Sequence, residues 1–200
     1  MSSPFIRAAR IDDAAAINRI YNHYIRHSAI TFDIEPWSIE RRRDWLAGFI
    51  DGDDGDARDG DGDNGDGGDN GGDNGDGGDD NGSDNDIYHA LVAELDGGVA
   101  GFAFNHAFRA KPAYRRATET TVYAAADHQA RGIGGALYAE LFRRIESTDL
   151  HRAYAVIALP NPRSIALHRR FGFTRIATFS EVGYKFNKYI DAAWFEKALK

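Results

Sequence analysis

Residues 51–86, DGDDGDARDGDGDNGDGGDNGGDNGDGGDDNGSDND, contain no large apolar side chain. A stretch of Asp, Gly and Asn has nothing to bury, so it cannot offset the entropy lost on ordering, and its like charges repel. The expectation is a disordered insert, with the folded core built from the flanking blocks 1–50 and 87–200. The charge divides at the same boundaries. The insert holds 15 of the 31 acidic residues and one of the 24 basic ones, Arg58, so it carries −14 and the remainder +7. A calcium reading of these carboxylates fails on spacing. Asp59, Asp61 and Asp63 fit the start of an EF-hand loop, but Asn64 stands where glycine is required. No Glu is present for the bidentate last position. The nonapeptide of calcium-binding β-rolls does not repeat either.

The flanking blocks are long enough for one core, so a single domain over 1–200, interrupted at 51–86, is expected. No apolar run approaches the roughly 18 residues of a membrane span. The opening MSSPFIRAARIDD lacks the apolar stretch of a signal peptide. The absence of cysteine excludes disulfides and thiolate-bound metal. A cytoplasmic protein without membrane contact is the expectation.

Strand and helix patterns alternate along both blocks. PFIRAAR reads as a short strand. In AAAINRIYNHYI, Ala14, Ile17, Ile20, Tyr21 and Tyr24 fall on one helical face. Ser38 caps IERRRDWLAGFI, whose expected buried positions are Ile39, Trp45, Leu46 and Phe49. IYHALVAEL and VAGFAFNHAF form a strand pair about the turn DGG. ATETTVYAAA is a strand, GIGGALYAELFRRI a turn and helix, and AYAVIAL a buried strand. SIALHRRFGF is a helix ended by Gly172, and two strands close the chain. The order implies a mixed α/β sheet with crossover helices.

Gly132, Gly134 and Gly135 stand where a helix must start, although glycine costs a helix interior about 1 kcal/mol. A strand, a glycine turn and a helix N-terminus make an anion site. Free N–H groups and the helix dipole face a phosphate, and the missing Cβ atoms allow it to come close. Neither a Walker loop nor the Gly-x-Gly-x-x-Gly dinucleotide pattern is present. Gln129-Ala-Arg-Gly132-Ile-Gly134, followed by Asn161, Ser164, Leu167, His168, Gly172 and Phe173, resembles the acetyl-CoA site of the GNAT superfamily of N-acetyltransferases. The stretches IYNHYIRHSAITFDIEPWSIERRRDWL, FRAKPAYRRATETTVYAAADHQARGIG and EVGYKFNKYIDAAWFEK are similar to the phosphinothricin and methionine sulfoximine N-acetyltransferases. The likeness covers nearly the whole chain outside 51–86. The chain departs from that pattern at Thr120 and at Ala125-Ala126-Asp127, where His-Pro-Asp is frequent.

The resemblance implies the GNAT acyl-CoA N-acyltransferase fold and transfer of acetyl from acetyl-CoA, as cosubstrate, to the primary amine of a small amino-acid-like acceptor. It places Glu119 as general base and His168 in the slot of an acid for the leaving thiolate. A helix histidine packed beside the cosubstrate is the alternative for His168. For acetyl-CoA it implies the backbone of Val122, Tyr123 and Ala124, the loop Gln129, Ala130, Arg131, Gly132, Ile133, Gly134 and Gly135, and Asn161 and Ser164. Asn161 is equally read as a helix cap. For the acceptor it implies Arg109, Lys111, Tyr114 and Arg115 against its anion, with Phe32 as a wall. His89, His106 and His128 lack a metal-ligand spacing, so no metal is expected. No basic helix suggests nucleic acid. The +7 remainder suits CoA, a polyanion. The alternatives are an N-acetyltransferase for another small amine or a protein N-terminus, and a non-catalytic acyl-CoA sensor, which would share the glycine loop without depending on Glu119. Tyr184, Phe186, Tyr189 and Trp194 suit either a homodimer interface or a core.

Overall fold

The computed structural model describes residues 3–50, 87–129 and 131–200. The expected disordered insert at 51–86 and the loop residue Ala130 lie outside the described residues. The elements run β1 (Phe5–Ala8), α1 (Ala14–His27), α2 (Ile39–Ala47), β2 (Ala90–Leu95), β3 (Gly98–Ala107), β4 (Ala117–Ala124) and α3 (Ile133–Ile145). They continue with β5 (Arg152–Ala158), α4 (Pro162–Arg170), β6 (Thr174–Lys185) and β7 (Lys188–Ala198). One seven-stranded sheet has the order β1-β2-β3-β4-β5-β7-β6. Every neighbouring pair is antiparallel except β4 and β5. Helix α3 crosses from β4 to β5 and α4 from β5 to β6, with β7 inserted between the last two.

Strands β2 and β3 are buried on both faces, which explains their unbroken apolar runs. On one face Leu137, Leu141 and Ile145 of α3 pack with Leu91 and Ala103. On the other Ile17, Ile20 and Tyr24 of α1 and Leu46 of α2 pack with Val92, Phe102 and Phe104. Local signals act as expected. Asp96 and Gly97 take positive φ (53° and 83°) in the β2–β3 turn. The Ser38 hydroxyl accepts from the Arg41 N–H at 3.1 Å. Gly172, at φ 85°, follows α4. On α2 Leu46 is fully buried, while Ile39, Trp45 and, in the turn after the helix, Phe49 are partly buried. The bulkiest fully buried side chain among the described residues is one not expected there, Arg42.

One irregularity prepares the site. β4 and β5 pair only at Ala117–Arg152, Thr118–Ala153 and Glu119–Tyr154. Both strands continue beyond these pairs, β4 to Ala124 and β5 to Ala158. The sheet therefore parts at its centre, just past Glu119.

Candidate active site

A cavity of about 830 Å³ occupies this parting, lined by residues of α1 and α2 on one side and of α3 and α4 on the other. Strand alternation sorts β4 within it. Glu119, Thr121 and Tyr123 face α1 and α2, with the Tyr123 ring 5.3 Å from Tyr21. Thr120 faces α3, its hydroxyl 3.3 Å from that of Tyr138. Bonds from Ala125 N–H to Ala100 and from Phe108 N–H to Ala117 assign the odd-numbered backbone groups of β4 to β3. Those of Val122 and Ala124 consequently face the side from which β5 has departed. The Ala124 carbonyl accepts the Tyr24 hydroxyl at 2.6 Å. Glu119 is half-buried in the cavity wall, opposite His106 on β3.

Gly132 caps α3 at φ 78°, without a side-chain cap. The first helical bond runs from Ala136 N–H to the Gly132 carbonyl at 3.0 Å. The N–H groups of Ile133, Gly134 and Gly135 thus have no acceptor within the helix and lie at the positive end of its dipole. The glycines differ in what they do. Gly132 supplies the left-handed turn. A Cβ on Gly134 would stand 3.2 Å from Leu167 of α4, so its absence lets the two helices close rather than serving the phosphate alone. Ile133 is a core residue. Gln129 is a strut between α1 and α4, donating to the Tyr24 hydroxyl and accepting from Arg163. Arg131 pairs on the surface with Asp96 at 3.2 Å.

His168 lies in the wall next to α3 and is 4% exposed. Its Nδ1 is 2.8 Å from the Ser164 carbonyl and its Nε2 is 2.9 Å from the Tyr138 hydroxyl. A carbonyl only accepts, so Nδ1 carries the proton and Nε2 accepts the phenol O–H. Burial lowers the imidazole pKa, against an opposing pull from Ser164, and raises that of Tyr138. Both ring nitrogens are thus engaged within the wall. Of the two readings expected for His168, this geometry favours the packed helix histidine, bracing α4 against α3, over the acid. Asn161 caps α4, its side-chain oxygen accepting from Ser164 N–H at 3.1 Å, and it also lines the cavity.

Of the four expected acceptor-loop residues, only Arg109 reaches the cavity, its guanidinium 4.3 Å from the Phe108 ring centre. Lys111 and Arg115 are exposed outside it, and Tyr114 borders a separate hollow with Arg116 and Lys200. The tight turn Pro112–Tyr114, bonded from Tyr114 N–H to the Lys111 carbonyl, carries these three away. Phe32 does line the cavity, on a loop held by a 2.8 Å bond from Lys185 to the Thr31 carbonyl. Its ring lies over Gly183, where a Cβ would run into it.

Sequence reasoning missed Tyr138 and Arg42. Tyr138 sits on the apolar stripe of α3 and reads as core. Arg42 sits in the run RRR and reads as a solvated face.

The model of the acetyltransferase (GNAT) family matches residues 72–173. A phosphinothricin N-acetyltransferase of Streptomyces coelicolor is 40% identical over 194 residues, covering 97% of this chain and 95% of that protein. An L-methionine sulfoximine/L-methionine sulfone acetyltransferase of Salmonella typhimurium is 28% identical, covering 97% and 94%. Among solved structures, the acetyltransferase yncA from Salmonella typhimurium with its cofactor acetyl-CoA superposes at a TM-score of 0.79 with 27% identity. It covers 100% of this chain and 95% of that one.

Proposed function

The chain belongs to the GNAT acetyltransferase family, and on that premise we propose that it acetylates the primary amine of a small amino-acid-like acceptor of the phosphinothricin or methionine sulfoximine type. One observation carries this reading: a single cavity joins the parted β4 edge, where acetyl-CoA is proposed to lie, to a half-buried carboxylate, Glu119. The N–H groups at the start of α3 hold the pyrophosphate. The backbone groups of Val122 and the N–H of Ala124 pair with the pantetheine amides and polarise the thioester carbonyl, whereas the backbone of Tyr123, expected in the same role, is turned to β3. Asn161 and Ser164 border the same arm.

Glu119 takes a proton from the incoming ammonium, directly or through a water. The amine nitrogen then bonds the acetyl carbon as the carbon–sulfur bond breaks, and the second amine proton leaves with the thiolate or passes to water. Arg109 holds the acceptor's α-carboxylate and Phe32 closes the pocket over its side chain. The proposed setting is the cytoplasm, with one folded domain that the 51–86 insert interrupts. No helix of the described residues is long and apolar enough to cross a membrane.

The test is thiol release from acetyl-CoA with phosphinothricin, methionine sulfoximine, spermidine and a peptide amine. Turnover confined to the first two supports the reading; acetyl-CoA binding without turnover on any of the four overturns it. A homodimer is also proposed, through edge strand β6, which exposes Phe179, Val182 and Tyr184, and the adjoining turn with Phe186 and Tyr189. A monomeric mass in light scattering would refute it.

A further inference from the structure

Arg42 is 2% exposed, yet it lines the cavity. Its guanidinium lies 4.0 Å from the ring centre of Trp37, 4.6 Å from Tyr21 and 4.7 Å from Trp45. Its Nε and Nη2 have no hydrogen-bond partner. Aromatic rings attract the charge but accept N–H groups only weakly, so the cage leaves two strong donors unused. A buried charged donor without an acceptor is among the costliest groups a fold can keep. The nearby Asp33 carboxylate takes the Tyr21 hydroxyl at 2.7 Å. The same Asp33 charge acts on Arg42 through space, without a hydrogen bond to its Nε or Nη2. Burial lowers the guanidinium pKa to about 10, so the group is still charged at neutral pH.

The cage fixes where Arg42 stands along the cleft, while its Nε and Nη2 expose almost no surface. Trp45, which Arg42 covers, packs at 4.9 Å on Phe104, the cross-strand partner of Thr121. Arg42 therefore sits toward the Thr121–Tyr123 end of β4, roughly 7 Å or more along the strand from Glu119. Arg109 lies at the other end, past His106, which faces Glu119. Two cations thus stand on either side of the carboxylate that takes the amine proton.

We propose that Arg42 is a specificity-determining residue that binds a second anionic group, a phosphinate or carboxylate at the end of the acceptor's side chain, while Arg109 holds the α-carboxylate. The proposal rests on the acceptor class assigned above. It favours acceptors carrying two anions over those with an uncharged side chain.

The test compares full-length wild type, Arg42→Gln and Arg42→Lys on phosphinothricin, whose side chain ends in a phosphinate, and on methionine sulfone, whose side chain is uncharged. Loss of one charged hydrogen-bond donor predicts a fall of about 10- to 100-fold in kcat/KM for phosphinothricin in Arg42→Gln, carried mainly by KM. Methionine sulfone should change less than about threefold, and Arg42→Lys should recover part of the loss. Equal losses on both acceptors, or none on phosphinothricin, overturn the proposal. If Arg42→Gln does not fold, the same comparison is decided on Arg42→Lys. A binding readout separates this proposal from the acetylation reading. Trp37 and Trp45 touch the guanidinium, so phosphinothricin alone should shift tryptophan fluorescence in wild type and not in Arg42→Gln. Absence of turnover by wild type with an Arg42-dependent shift would refute the acceptor reaction and support the anion site; absence of the shift refutes the site.

Discussion

The two walls of the cleft each bury a polar side chain, and they treat it in opposite ways. On the α3–α4 wall His168 has a partner for each ring nitrogen, and its phenol partner Tyr138 lies beside the Thr120 hydroxyl. On the α1–α2 wall Arg42 is buried as deeply but keeps two N–H groups unpaired inside an aromatic cage. Burial costs both groups their hydration. The first wall recovers that cost within the fold, so its network holds α4 in place. The second recovers only the cation–π part, which is the basis for proposing an anion there. Burial alone is therefore a poor marker of a functional residue. Burial with unused bonding capacity, facing a cavity, is a better one.

Glu119, between the walls, sets the scale for chemistry. Glu119→Gln should lower kcat by about 10²- to 10⁴-fold with little change in melting temperature, measured by thiol release and calorimetry. A fall below tenfold would remove the general base and with it the centre from which both walls are judged. Tyr138→Phe should behave in reverse. It leaves His168 Nε2 buried without a donor, a cost of about 1–3 kcal/mol, or roughly 3–10 °C in Tm, while kcat/KM stays within about threefold. A collapse of kcat in a fully folded Tyr138→Phe would make the α3–α4 wall catalytic and end the contrast.

The third prediction uses acid. His168 is held neutral with its pKa below that of the unfolded chain, so its contribution is complete above about pH 6.5 and is lost as the pH falls below that value. Melting temperatures between pH 7.5 and 5 should decline less steeply in His168→Asn than in wild type; parallel curves would show that the ring takes its proton freely. The smallest effect is expected at Gly132. Placing alanine at φ 78° should cost about 1–2 kcal/mol and raise KM for acetyl-CoA a few-fold, leaving KM for the acceptor unchanged.

What each stretch of sequence could reveal depended on how far away its partners lay. The faces of α1 and α3, the Ser38 cap, the Asp96-Gly97 turn and the stop at Gly172 rest on residues within a few positions of one another, and all were legible. Glu119, Phe32, Arg109 and the glycine loop were expected through family likeness rather than through spacing, and the cavity gathers the first three. The insertion of β7 between β5 and β6 was not legible, because both hairpin strands carry the same kind of alternating pattern. Nor was the outward turn of Lys111, Tyr114 and Arg115, whose direction follows from the Pro112–Tyr114 turn.

The sequence by itself determined the element order, the helix ends and the glycine turn at the head of α3, since these obey short-range rules of periodicity, capping and φ. Tertiary structure alone decided where β4 and β5 part, that Tyr24 reaches the carbonyl of Ala124, and that one arginine of RRR is enclosed while its neighbours are not. Burial and hydrogen-bond satisfaction are set by residues distant in the chain. Arg42 and His168 became distinguishable only when the chain had brought Trp37 and Trp45 to the one and Tyr138 to the other.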